Sequence, residues 1–335
     1  MRARRQFLMQ AGSLGLAAAA SAAPSRPADV RLVVGNVLTA SHPLNVRLAE
    51  AATAIRTESR GRVQLQVYPG GQLGSDVDML EQLLRGEIQG LTISGPVLAN
   101  RVPVAAINGI GFAFRDEAQV WQAMDGALGA HVRGEIAAAG LHAFDRIWDN
   151  GFRQITTSSR PILMPSDLHG LRLRVPVSPL WTSMFRAFGA EPTSLSFGQV
   201  YAALQADVVE GQENALAVVQ MARLYEVQRH CAMTRHMWDG FWFLAHGKTW
   251  AALPADVREL VRTHVDAAAL RQRADVRRLN DTLEVQLRGA GMAFTRPPAA
   301  PFREVLRRAG FYSDWRRRQG ATAWALLEQV VGRLD

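Results

Sequence analysis

VRLVVGNVLTASHPLNVRLAEAATAIRTESRGRVQLQVYPGG, residues 30–71, holds two kinds of periodicity in one short span. Val30-Arg31-Leu32-Val33-Val34 is an apolar run of strand length. From 43 to 58 the spacing changes: Leu44, Leu48, Ala51, Ala52 and Ile55 recur at helical intervals, behind a proline, Pro43, suited to a first helical turn. Val63, Leu65 and Val67 then alternate with polar residues, as in a strand with one buried face, and Pro69-Gly70-Gly71 breaks the pattern. Strand, helix and strand in this order make an α/β unit.

Further along, the alternation repeats. Val77, Leu80, Leu83 and Leu84 share one helical face, and Leu91-Thr92-Ile93-Ser94 is the next strand. Strand-like segments recur from Leu141 to Trp148 and through Leu171, Leu173 and Val175. Ser196-Phe197-Gly198-Gln199 fits a capping box at a helix start. Between Pro254 and Arg288 there is no glycine and no second proline, while Val257, Leu260, Val261, Val265, Ala268 and Leu270 supply apolar positions. One unusually long helix is expected there, of a length that bridges domains. No internal repeat or low-complexity linker is visible, so domain crossovers are short.

The N-terminus sets the compartment. Arg2, Arg4 and Arg5 precede a weakly apolar run from Ala11 to Ala23 that carries the small-residue pattern Ala20-Ser21-Ala22. Basic, apolar and small in that order is a secretory signal peptide, here residues 1–23, and the adjacent arginines resemble a twin-arginine export signal. The run is too short for a bilayer-spanning helix, which needs ~20 apolar residues. The chain has 335 residues, so enough remains for two ordinary domains. Its formal charge of +8 falls to about +5 without those three arginines, and the rest are dispersed apart from Arg316-Arg317-Arg318, so no nucleic-acid partner is expected. The lone Cys231 can form no intramolecular disulfide and reads as a small buried hydrophobe.

Motifs for catalysis are missing: no zinc helix, no nucleophile elbow, no P-loop and no dinucleotide fingerprint. His230 and His236 flank Cys231 without any supporting signature. Other segments suit an anion. Alternation puts Leu171, Leu173 and Val175 on one strand face and Arg172 and Arg174 on the other. Those arginines are either solvated or aimed at a cleft where the strand ends at Pro176, the place where α/β sheets bind ligands. Arg153 is open to both readings, and Asn214 is either a loop donor or a turn residue.

These segments resemble the solute-binding proteins of TRAP (tripartite ATP-independent periplasmic) transporters. The likeness runs through Tyr68-Pro69-Gly70-Gly71-Gln72-Leu73-Gly74 with Leu80, Leu83 and Gly86, and through Trp148-Asp149-Asn150-Gly151-Phe152-Arg153-Gln154. It is most specific in Leu168-His169-Gly170-Leu171-Arg172-Leu173-Arg174-Val175-Pro176. Phe197 to Gln205 and Val209 to Asn214 follow at the family's spacing. The resemblance implies an α/β, two-domain periplasmic-binding-protein fold with a hinge cleft and a long domain-spanning helix. Residues 28–151 plus 240–270 are expected as domain I, and 152–239 plus 271–335 as domain II. It implies a periplasmic, monomeric receptor that captures a small organic acid (a C4-dicarboxylate, a sugar acid or another carboxylate) and delivers it to a membrane permease. No enzymatic activity, cofactor or metal is implied. A ligand sensor for a membrane receptor and a secreted enzyme acting on a carboxylate are the alternatives.

By the same resemblance, Arg174 forms a bidentate pair with the ligand carboxylate, and Asn214 orients it. Arg153 adds a second charge contact, and Phe197 packs on the ligand. Asn150, Ser94, Trp148 and Trp238 complete the expected lining, with Trp181 a further aromatic candidate. The chain departs from the family at Gln199, Glu210 and Ala215. It also has Ser94 where sialic-acid-binding relatives tend to carry glutamate, which lowers the case for that ligand.

Overall fold

A computed structural model describes residues 29–334. The expected export signal, residues 1–23, lies outside them. The chain opens with β1 (Val30–Gly35), α1 (Pro43–Glu58), β2 (Val63–Tyr68), α2 (Asp76–Arg85), β3 (Gly90–Ser94) and α3 (Gly95–Leu98). Then come α4 (Glu117–Met124), α5 (Ala127–Ala138), β4 (Leu141–Ala143), β5 (Trp148–Thr157), β6 (Arg172–Val175), α6 (Pro179–Ala187) and β7 (Glu191–Ser194). Next are α7 (Val200–Gln205), β8 (Gly211–Ala215), α8 (Leu216–Met221), β9 (His230–His246), α9 (Gly247–Ala252) and α10 (Ala255–Gly289). The chain closes with β10 (Ala293–Thr295), α11 (Ala299–Arg308), α12 (Phe311–Gln319) and α13 (Ala321–Val331).

The sheet runs β2-β1-β3-β9-β5-β8-β6-β7, with β4 and β10 also on β9. Its two flanks are parallel: β1 lies beside β2 and β3, and β6 beside β7 and β8. An antiparallel centre, β5 against β9, joins them. The C-terminal part of β9, Phe241 to Ala245, pairs with β3, while its start at His230 pairs with β10. On the other edge of the centre, β8 takes only the second half of β5, from Arg153 onward. The β5–β9 register slips twice, between Asp149 and Gly151 and between Arg153 and Ile155. Gly151 sits at φ 99°, a conformation glycine adopts without strain. Such bulges bend and twist a strand.

Helices cover both faces. His42 caps α1, its Nδ1 accepting from the Leu44 N–H at 3.2 Å, with Pro43 next as expected. Ser75 and Asp78 form a reciprocal capping box on α2. The long helix is α10, 35 residues without interruption. Its first half buries Val257, Val261, Val265 and Ala268 with α1, β1 and β2, and its last turns bury Leu283 and Leu287 with α7 and α8. Midway, Gln272 and Arg273 bond to the backbone of the β5 approach: Gln272 donates to Asp149 O at 2.6 Å and accepts from Asp149 N at 2.9 Å, and Arg273 donates to Ile147 O.

Two strands differ from the sequence reading. Gly211–Ala215, read as loop or turn around Asn214, is the fully buried strand β8. The strand read from Leu141 to Trp148 is two, β4 and β5, and β5 continues to Thr157 with Arg153 inside it. No helix among the described residues is long and apolar enough to cross a membrane.

Candidate functional site

The strand ends at the junction of the two flanks enclose a cavity of about 400 Å³, mouth included. The space enclosed within it, mouth excluded, is about 40 Å³. One wall comes from the first half of the chain: Val37 and Leu38 after β1, Asp76 at the start of α2, Ser94 at the end of β3, and Val97. The facing wall is Arg174, Pro176, Trp181, Phe197, Asn214 and Val218. Asn150, Arg153, Asp239 and Phe241, from the central strands, form the floor.

Arg174 is 2% exposed. Its Nε and Nη2 donate to one backbone oxygen, Leu195 O, at 3.0 and 2.7 Å. Among the described residues no carboxylate pairs with it. Burial pushes its pKa down to about 9 against the opposing pull of Glu213. Strand alternation puts Arg172 on the same face, yet Arg172 lies at the exposed start of β6 and bonds Glu210. Only the deeper arginine reaches the cavity.

Arg153 has a different environment. Its Nε and Nη2 bond Glu213 at 2.5 and 2.6 Å, Nη1 bonds Asp239 at 2.9 Å, and Nη2 also reaches Glu213 O. Its guanidinium lies 5.0 Å from the Trp181 ring centre. Burial works against the charge, but Glu213 and Asp239 outweigh it and hold the pKa above the ordinary value. Glu213, equally buried, is kept below the usual carboxylate range because Arg153 and His236 overcome its desolvation. Burial lowers the His236 pKa against the pull of Glu213; its Nε2 lies 3.0 Å from the Glu213 carboxylate and its Nδ1 2.8 Å from Thr234 Oγ1.

Asp239 accepts from Ser94 Oγ at 2.6 Å, Asn150 Nδ2 at 3.0 Å and Arg153. Burial still raises its pKa. Asn214 is held through a relay: its Nδ2 donates to Gln212 Oε1, Gln212 donates to Thr156 Oγ1, and Thr156 donates to Gln228. Among the described residues, no side-chain hydrogen bond reaches the Asp76 carboxylate or the buried Asn150 Oδ1. Asp76 is pushed up to about 7 by burial and by the charge of Asp239, with Arg174 pulling the other way.

Six of the eight expected lining residues therefore meet at one cavity: Arg174, Asn214, Arg153, Phe197, Asn150 and Ser94. Trp148 and Trp238 do not. Trp148 is sealed in the core with Val218 and Phe241, and Trp238 donates from Nε1 to Asp149 and packs edge-on against Trp121. Their size and apolarity drew them into the core, and Trp181 is the tryptophan at the cavity. Asp76, Asp239 and Phe241 escaped the sequence reading. A lone carboxylate inside the apolar run Met237 to Leu244 was the available signal for Asp239.

The model of bacterial extracellular solute-binding protein, family 7, matches residues 34–310. The uncharacterized protein y4mM of Sinorhizobium fredii is 34% identical over 272 residues, 81% of this chain but 50% of that protein, so the chain spans half of that relative's length. The sialic acid-binding periplasmic protein SiaP of Vibrio cholerae is 30% identical over 295 residues, 88% of this chain and 89% of SiaP. A TRAP periplasmic solute-binding protein of Polaromonas, solved bound to D-erythronate, superposes with a TM-score of 0.85 at 27% identity, covering 90% of this chain and 99% of that one.

Proposed function

Because the chain belongs to the bacterial extracellular solute-binding protein family 7, we propose that it works as a periplasmic receptor of a TRAP transporter, capturing a small organic acid through Arg174 and delivering it to the membrane permease. The family and its structural neighbours are ligand-binding transport receptors rather than enzymes. Relatives named for C4-dicarboxylate, sialic acid and 2,3-diketo-L-gulonate binding, and the D-erythronate complex, support a carboxylate as the common group.

One observation carries the assignment of Arg174: a buried guanidinium whose only hydrogen-bond acceptor among the described residues is a backbone carbonyl. An isolated buried charge is costly unless something pairs with it. A ligand carboxylate fits the planar fork of donors, in a geometry lysine does not offer. Asn214 then orients that carboxylate, and Phe197 packs on the ligand body. Arg153 holds the site's shape from below, since its own donors go to Glu213 and Asp239. We place the hinge at the double register slip between β5 and β9. On this reading residues 28–151 plus 240–270 close against 152–239 plus 271–335, with α10 crossing between them.

The test is calorimetry of purified, ligand-stripped protein against a panel of organic acids, repeated with Arg174→Ala. Loss of at least ~2 kcal/mol, about thirtyfold in affinity, is expected from removing one partner of a buried charge pair. Unchanged affinity in the variant overturns the assignment.

A further inference from the structure

The charges around the cavity are unequal in a way that bears on the rest of the ligand. Two guanidinium groups, Arg153 and Arg174, stand among three carboxylates, Glu213, Asp239 and Asp76. Arg153 is consumed by the first two, in bonds of 2.5 to 2.9 Å. That leaves one cation free to take an anion, and one acid, Asp76, facing it across the cavity without a side-chain partner. Asp239 has its oxygens engaged by Ser94, Asn150 and Arg153. The orientation of Asn150 is set by that contact: Nδ2 must face the carboxylate, which leaves Oδ1 buried and unpartnered.

The cavity therefore offers a ligand one charged donor and, beyond it, the free acceptors of Asp76 and Asn150. A second carboxylate at the far end of the ligand would meet Asp76 and Asp239 with no remaining cation. Like charges brought together in a desolvated site are strongly disfavoured. An alkyl end would leave the buried Asn150 oxygen unmade, which costs the desolvation of that group. A hydroxyl or ammonium satisfies both acceptors. Building on the receptor reading above, we infer that the ligand is a monocarboxylate whose remainder carries hydrogen-bond donors toward Asp76 and Asn150, and that Asp76 is the residue that excludes diacids.

Matched acids that differ only at the terminal carbon test this by calorimetry at about pH 8, where Asp76 is ionised beside Arg174 and Asp239. Erythronate is set against tartrate, and galactonate against galactarate, with butyrate as the donor-free control and 4-aminobutyrate to separate ammonium from hydroxyl donors. Each hydroxy monoacid that binds should do so about tenfold or more tightly than its diacid, and more tightly than butyrate. Asp76→Asn should narrow the gap between monoacid and diacid, with the diacid gaining. A diacid that binds as tightly as its monoacid in the wild type, or a gap that Asp76→Asn leaves unchanged, overturns the inference while leaving the carboxylate receptor standing. If none of these acids binds folded, ligand-free protein, the organic-acid reading fails, and this inference fails with it.

Discussion

Arg153 and Arg174 are the same residue type, both buried, about twenty positions apart in sequence, and they do opposite things. Arg153 is saturated by Glu213 and Asp239, whereas Arg174 holds its charge with a carbonyl as sole acceptor among the described residues. Removing a partner of the first should damage the fold, while removing the second should damage binding. Glu213→Ala strands Arg153 and deprives His236 of its acceptor, so a loss of about 3–5 kcal/mol is expected in urea unfolding. Arg174→Ala in the same assay should be near neutral or stabilising, because it deletes an uncompensated buried charge. Asp76 gives a pH signature. Its folded pKa of about 7 exceeds the ordinary 3.8, so the folded state keeps a proton that the unfolded chain has lost. Stability from this group is present at low pH and is lost as pH rises from about 4 to about 8. Asp76→Asn cannot ionise and lacks this loss, so the ligand-free wild-type melting temperature should fall relative to the variant's as pH rises through that window, and parallel curves would remove Asp76 from the buried site. Arg174 and Asn214 were legible in the sequence because flanking motifs identified them. Asp76 and Asp239 were not: their role depends on which charges sit across the cavity, and spacing along the chain carries no such information.

Helices were easier to read than strands. The absence of glycine and proline from 255 to 288 specified α10 almost to the residue, since helix interiors exclude both. The 17 residues of β9 gave no alternating signal, because nearly all of them are buried on both faces. Thr234, His236 and Asp239 interrupt its apolar run, and each is buried with a partner supplied from elsewhere in the fold. The contact that ties these elements together is Gln272 of α10. It caps the N–H and C=O of Asp149, where the β5–β9 ladder slips. Gln272→Ala leaves two buried backbone groups unmade, so a destabilisation of roughly 2–4 kcal/mol is expected, at about 1–3 per group. A loss below ~1 kcal/mol in denaturant unfolding would mean that water replaces the glutamine there.

For the whole molecule, a ligand held between two walls of the fold binds the folded form and not the unfolded chain. Saturating acid at a hundred times its dissociation constant should add about 2.7 kcal/mol, read as a rise of several degrees in Tm. The same sample should show a smaller radius of gyration by X-ray scattering. An unchanged radius with a raised Tm would assign binding to a preformed cavity without closure. The architecture also limits how such closure proceeds. β9 pairs with β3 of one flank, β5 pairs with β8 of the other, and β5 and β9 are hydrogen-bonded to each other between Trp148–Phe241 and Thr157–His230, so the halves share a ribbon. With the hinge proposed above, opening would flex that ribbon at its bulges, as a leaf spring flexes, and a spring has a rest position and a stiffness that a free swivel lacks. How long an acid stays captured is then governed by the recoil of the backbone as well as by the grip of Arg174. Straining the bulge, for instance with Gly151→Ala at its φ of 99°, should alter release rates without touching the ligand.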